Sequence, residues 1–428
     1  MLRHWGPGLV LTASVVGSGE LIATTSLGSR VGYLVLWLII LSCFIKVSLQ
    51  LVIGRYALYS GETTLRFLNQ IPGPRLRASW VIWLWLAMMI LVSFQQGAML
   101  AGVAQVLNLV IPQLSVTAWA AVTAVVTILL LRSGKYSLVE TLSTAMVVSF
   151  TFATITCVAF LQRTVYAFST ADLWQGLEFQ LPPGGAGIAM AVFGITGIGA
   201  TELIYYPYWC IEKGYARSVG VQDNSAAWYS RARGWIRTMN WDAFLSMLVY
   251  TVVTLAFYLL GASVLHSKDI YPEGMEMVKL LSNMYTQVLG MWAFYLFLLG
   301  AFFVLYSTIF VSVAANARLF IDCFHIMGLV SLRDYPHRQH WIRWLVTLQP
   351  PIHFMLFLTF QLPLWMVLVG GTAQSLMLPV IAFATLYLRY RRLDERLKPS
   401  TGLDLLLWIS CICIVLVSVY GITVQLTH

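Results

Sequence analysis

Apolar runs of bilayer-crossing length, separated by short polar segments, fill almost the whole chain. A helix rises about 1.5 Å per residue, so about 20 apolar residues cross a hydrocarbon core of about 30 Å. By that measure the pattern predicts eleven helical spans. They run over about 7–28, 33–54, 79–110, 115–131, 139–161, 187–209, 240–265, 288–321, 341–361, 363–388 and 403–425. The longest polar stretches are 55–78, 162–186, 211–239 and 322–340, and the amphipathic segment 166–181 is expected on the outer surface. No shift in composition marks a linker, so a single membrane domain over 1–428 is expected.

Two of these spans break their own pattern. The first carries Gly17, Ser18, Gly19 and Glu20 in its middle, and the sixth carries Gly197, Ile198, Gly199, Ala200, Thr201 and Glu202. Each glycine weakens a helix by about 1 kcal/mol relative to alanine. An unpaired carboxylate near the bilayer centre costs about 3 kcal/mol or more. In both spans the glutamate follows a run of small residues and precedes Leu-Ile. Two interrupted apolar segments at matching places in two halves of a chain point to a transporter's central site.

Composition narrows the class. Hydrophobic residues make up 59% and charged residues 10%, with a mean hydropathy of +0.79, which excludes an ordinary soluble domain. The net charge of +9 is no nucleic-acid signal, because the basic residues lie in short loops. With the N-terminus inside, Arg55, Arg66, Arg132, Lys213, Arg231, Arg318, Arg338, Arg391 and Arg392 fall on the cytoplasmic side. Arg30, Arg163, Lys268 and Lys279 fall outside. That asymmetry predicts a cytoplasmic N-terminus, an outer C-terminus and residence in the plasma (inner) membrane. The first span starts at once, with no cleavage site after it, and is expected to stay in the mature chain. Cys43, Cys157, Cys411 and Cys413 lie in spans and read as small apolar residues. No nucleotide-binding loop or catalytic triad is present, and Gly-Ser-Gly at 17–19 has no strand before it, so no enzyme is expected. Neither a cofactor, nor a nucleic acid, nor an obligate protein partner is implied; the expected partners are a small inorganic ion, the lipid bilayer and a coupling ion, sodium or a proton.

Gly6-Pro7-Gly8, Gly17 to Glu20, Ala23-Thr24, Gly28, Gly32-Tyr33 and Leu36-Trp37 together resemble the first helix of the NRAMP metal transporters. Gln50 and Ser60-Gly61 are similar to its second helix, and Pro183-Gly184 with Gly199-Ala200-Thr201 to the approach to its sixth. The resemblance implies an all-α membrane protein of LeuT-like fold. It would have two inverted five-helix repeats, about 7–161 and 187–388, and one extra helix at about 403–425. Helices 1 and 6 would be unwound near residues 16–20 and 198–202.

The departures from that family bear on the substrate. The family's Asp-Pro-Gly-Asn motif falls on Gly17, Ser18, Gly19 and Glu20, so its metal-ligating aspartate is absent. Its methionine, a thioether suited to transition metals, falls on Leu203, and a nearby histidine on Tyr205; only the backbone carbonyl at Ala200 remains. Three acidic positions fall on Met89, Gln96 and Met99. These losses argue against proton-coupled manganese or iron transport. Gln374 follows Gly371, where the family has a glutamine, by about one turn. Gln95 reads as an interhelical contact, and Tyr205, Tyr206, Tyr208 and Trp209 as an interfacial aromatic belt. His266, His325, His337, His340 and His353 have no metal spacing and read mostly as loop residues.

Lys46, in the middle of the second span, is the gain. It forms an ion pair with Glu20 or Glu202, or it sets the sign of the central cavity. Glu20 and Glu202 either cap half-helices or bind substrate or coupling ion. The expected site is therefore Gly17, Ser18, Gly19, Glu20, Lys46, Gln96, Ala200, Thr201, Glu202 and Gln374. The first expectation is secondary-active transport of a small inorganic anion such as bicarbonate, held by amides and Lys46, with sodium as co-ion. The second is a rebuilt hard-cation site for magnesium or manganese, using Glu20, Glu202, carbonyls and retained waters. The third is a membrane sensor that transports nothing.

Overall fold

The structure is a computed structural model. It describes residues 6–17, 19–180, 186–223, 225–271, 278, 279, 282, 286, 290–332 and 335–427. The first predicted span is two helices, α1 (Pro7–Val15) and α2 (Gly19–Val31), the latter wound as a π-helix up to Thr24. There follow α3 (Leu36–Ser60), α4 (Thr64–Leu68) and a minimal hairpin, β1 (Arg75–Leu76) with β2 (Ala78–Ser79). Next come α5 (Trp80–Val110), α6 (Val116–Leu131), α7 (Tyr136–Leu161) and α8 (Thr170–Gln175). The sixth span is α9 (Ala186–Ile195) and α10 (Ala200–Lys213), followed by α11 (Tyr215–Val219) and α12 (Ala226–Leu260). The chain closes with α13 (Met291–Ile326), α14 (Tyr335–Phe360), α15 (Pro363–Arg391) and α16 (Thr401–Thr427).

Every one of the eleven predicted spans is occupied by helix. Among the described residues, eight helical stretches are long and apolar enough to cross a membrane, or nine with the bent pair α1–α2. α6 has only 16 residues. α14 carries His337, Arg338, His340 and Arg343 and is interrupted by Pro350 and Pro351. The polar stretch 211–239 is mostly helix, because α12 begins at Ala226, where Ser225 Oγ accepts from the Trp228 amide. The five histidines named above sit on helices or helical turns, and His353 is buried.

Apolar side chains face outward on the peripheral helices, with Leu129 on α6, Phe152 on α7 and Leu416 on α16 each more than 60% exposed. That band is what lipid covers. The interior is held by close backbone contact instead. A Cβ at Gly371 would lie 2.6 Å from the Ala191 carbonyl, and one at Gly194 would collide with the Gly371 carbonyl. α9 and α15 therefore touch through small residues, the usual means of helix association in a membrane. This contact places α15 beside the break in the sixth span.

Candidate ion site

Both interruptions expected from the glycine-rich stretches are present. α1 stops at Val15, Val16 and Gly17 leave the helix, and α2 resumes at Gly19 with a bend of 40°. Ser18 lies outside the described residues, as do Pro183 and Gly184. In the sixth span α9 stops at Ile195 and residues 196–199 are non-helical. Gly197 has φ +64°, a conformation that penalises any residue with a Cβ. The unwound segment is thus 196–199, a little earlier than 198–202. Ala200, Thr201 and Glu202 already form the first turn of α10, where a carboxylate meets the positive end of the helix dipole.

A small polar cavity lies against the two breaks. Its wall includes Ser14 of α1, Gly19 of α2, Gln95, Gln96 and Met99 of α5, Thr201 and Glu202 of α10, Thr308 and Ser312 of α13, and Gln374 of α15. The enclosed space holds about one water molecule. Gln374 Oε1 accepts from the Thr201 amide at 3.2 Å and from Thr201 Oγ1 at 3.0 Å, so it caps α10 from another helix. Gln374 Nε2 donates to Gln95 Oε1 at 3.0 Å. Glu202 accepts from Thr201 Oγ1 at 2.6 Å and from the Tyr205 hydroxyl at 3.1 Å, and that hydroxyl also reaches Ser14 Oγ. Gln96 Oε1 is buried with no hydrogen-bond partner, an acceptor left open beside the cavity.

Five of the ten expected residues line this cavity: Gly19, Gln96, Thr201, Glu202 and Gln374. Four do not. Gly17 is packed against α13, where a Cβ would collide with Thr308 Oγ1, which sits 3.1 Å from the Val16 carbonyl. Glu20 turns away. One oxygen accepts from the Gly17 amide at 3.0 Å and the other from Thr254 Oγ1 of α12 at 3.3 Å, so it acts as a cap. Ala200 opens α10 and is fully buried. Lys46 is fully buried and forms no ion pair with Glu20 or Glu202; its Nζ donates to the carbonyls of Phe193 at 2.6 Å and Thr196 at 2.7 Å. The unwound helix end offers free carbonyls nearer than either carboxylate. Among the described residues no group of three or more His, Cys, Asp or Glu side chains could hold a metal ion.

The tyrosines form no interfacial belt. Tyr205, Tyr206, Tyr208 and Trp209 are at most 2% exposed, because α10 is enclosed by the bundle; the hydroxyls of Tyr205 and Tyr206 donate to Glu202 and Asp242. Ser14, Met99 and Ser312 were not legible as site residues, since hydroxyls and thioethers occur on any membrane helix. Asp242 on α12 also escaped notice. It accepts from the amides of Gly6 at 3.1 Å and Gly8 at 2.6 Å, capping α1. Beyond it, the end of the bundle predicted to be cytoplasmic is laced by charges. Arg318 is 1% exposed and grips Glu212 through Nε at 2.8 Å and a second nitrogen at 2.9 Å. Arg338 lies 3.5 Å from Glu212 and 3.9 Å from Asp322, and Lys213 pairs with Glu140.

Comparison with known proteins agrees with this architecture. Residues 8–424 match the model of the Nramp family, described as natural resistance-associated macrophage protein-like. The Pasteurella multocida (strain Pm70) protein PM0681 is 24% identical over 328 residues, covering 75% of this chain and 70% of that relative. A crystal structure of the Eremococcus coleocola manganese transporter, bound to an aromatic bis-isothiourea compound, is 17% identical with a TM-score of 0.69. It covers 99% of this chain and 87% of its own. MHP1, a nucleobase-cation-symport-1 family transporter in a closed conformation, is 13% identical with a TM-score of 0.63, covering 98% and 89%. MhsT in complex with L-phenylalanine is 16% identical with a TM-score of 0.60, covering 97% and 98%. These likenesses give the fold, the LeuT-like one. With the family match over nearly its whole length and its apolar helices, the chain belongs to the Nramp family and is an integral membrane transporter, not an enzyme.

Proposed function

We propose that this protein is a secondary-active transporter that moves a small divalent cation, magnesium or manganese, through the cavity between α1, α5, α10, α13 and α15. The carrying observation is the chemistry of the cavity wall: one carboxylate, Glu202, with amide and hydroxyl oxygens around it and no basic side chain. Oxygen donors of this kind suit hard cations, which need few carboxylates. The bicarbonate reading depended on Lys46 facing the substrate, and its ammonium is engaged by main-chain carbonyls instead. The solved neighbour that is named a manganese transporter is in line with a cation. Coupling would use sodium or a proton, with Glu20 and Glu202 the candidate carriers, and the site would alternate between the two faces of the plasma membrane with the N-terminus cytoplasmic.

The test is flux into proteoliposomes, comparing magnesium, manganese and labelled bicarbonate. Metal uptake that Glu202→Gln removes, in a variant that still purifies as a folded monodisperse protein, is the expected result. Bicarbonate uptake without metal uptake would overturn the proposal. Uptake driven by a proton gradient in the Glu20→Gln, Glu202→Gln double variant would overturn the assignment of those two residues to coupling.

A further inference from the structure

Lys46 is a buried cation that the cavity does not use. Its Nζ lies 2.6 Å from the Phe193 carbonyl, 2.7 Å from the Thr196 carbonyl and 4.9 Å from the centroid of the Phe193 ring. Ser42, one turn earlier on α3, donates through Oγ to the same two carbonyls at 3.2 and 2.9 Å. Those carbonyls belong to the last turn of α9 and the first residue of the break. The helix ends there, so their usual amide partners, four residues on, are not in place. A helix C-terminus carries about half a negative charge, and an aromatic face is also negative. Both features converge on one nitrogen. Among the described residues no carboxylate lies within ion-pair distance of it.

We infer that Lys46 is a tethered cation: its ammonium fills a carbonyl cage that the break between α9 and α10 creates, a cage whose chemistry suits a monovalent cation. By filling it, Lys46 holds residues 196–199 in the shape that presents Thr201 and Glu202 to the cavity. It is a positioning residue, and the inference holds whichever ion the cavity takes. It also makes this place independent of sodium or potassium, since the chain supplies the positive charge itself.

Charge, not length or volume, is what the experiment must isolate. Lys46→Ala deletes a propylammonium-sized group, so the variant is purified and its thermal unfolding followed with n-propylammonium, with 1-propanol as the neutral control, and with sodium or choline. The expected result is a melting temperature lower by roughly 5–10 °C, largely restored by propylammonium and not by propanol. Sodium should stabilise the variant more than choline, with no such difference in the parent. Lys46→Met, which keeps the chain length and loses the charge, should lower the melting temperature as Lys46→Ala does, with no rescue by propylammonium because its side chain fills the space. A second measurement leaves Lys46 in place. Stepwise fluorination of the Phe193 ring drains its negative face, and each fluorine should lower the melting temperature further. Equal rescue by propanol, a Lys46→Met variant as stable as the parent, or a flat fluorination series would each overturn the inference.

Discussion

Position 17 has no room for a side chain, because any Cβ there meets the Thr308 hydroxyl that braces the end of α1. The aspartate expected at this place in the family could not be accommodated without moving α13. Gly17→Ala is therefore expected to destabilise the protein by about 1–3 kcal/mol, read as a lower melting temperature in detergent. Adding Thr308→Ala should recover part of that loss, although Thr308→Ala alone removes a hydrogen bond worth about 1 kcal/mol. An unchanged melting temperature for Gly17→Ala would refute the close packing. Met99 is the other residue with a separable effect. By the resemblance it falls on an acidic position of the family, yet it lines the cavity and brings the only sulfur in its wall among the described residues. Thioethers discriminate in favour of softer ions. Met99→Leu should lower manganese uptake several-fold relative to magnesium in a competition assay, while magnesium uptake alone stays near the parent's. Equal losses for both metals would mean that Met99 only packs.

Among the elements, the interrupted helices were the most legible from sequence and the capping that supports them the least. Gly197 and Gly199, followed by Glu202, announce a break because neither glycine nor carboxylate is tolerated in an ordinary span. The direction in which Lys46 reaches was not legible. A four-carbon side chain can take many paths, and its partners, Phe193 and Thr196, are about 150 residues away in sequence. Asp242 was missed for a related reason: it lies near the end of an expected span, where an acid reads as solvated. The amides it accepts from, on Gly6 and Gly8, are more than 230 residues earlier. Removing this cap should be measurable. Asp242→Ala is expected to lower stability by about 1–2 kcal/mol, and Asp242→Asn, which keeps an acceptor, by less. Thermal unfolding of the two variants distinguishes them, and equal effects would show that the carboxylate's charge, not its acceptor geometry, is what α1 needs. The tyrosines of α10 were misread because aromatic residues near a span's end follow the same pattern whether they face headgroups or a neighbouring helix.

At the scale of the whole molecule, the Arg318–Glu212 pair and its neighbours tie α10, α13 and α14 together at the end of the bundle expected to be cytoplasmic, where they would seal the cavity. Removing Arg318 takes two charge-assisted hydrogen bonds from Glu212, which keeps Arg338 at 3.5 Å, a loss of about 1.5–3 kcal/mol. Arg318→Met should therefore loosen the contact between α10 and α13 at this end of the bundle. In a background without the native cysteines, a Ser312→Cys probe should then react faster with a membrane-impermeant thiol reagent added from the inside. No change in labelling rate would mean that these charges do not seal the cavity. The size of the cavity would set a pace as well as a preference. With room for about one water molecule, a cation bound there as proposed would keep few of its waters, and its passage would be timed by how quickly an inner hydration sphere is surrendered. Magnesium gives up its water reluctantly and holds to near-ideal octahedral geometry. At saturating concentrations of each metal, turnover for manganese should exceed turnover for magnesium by more than their binding affinities differ, making the enclosed site a drying step whose clock is the ion's own.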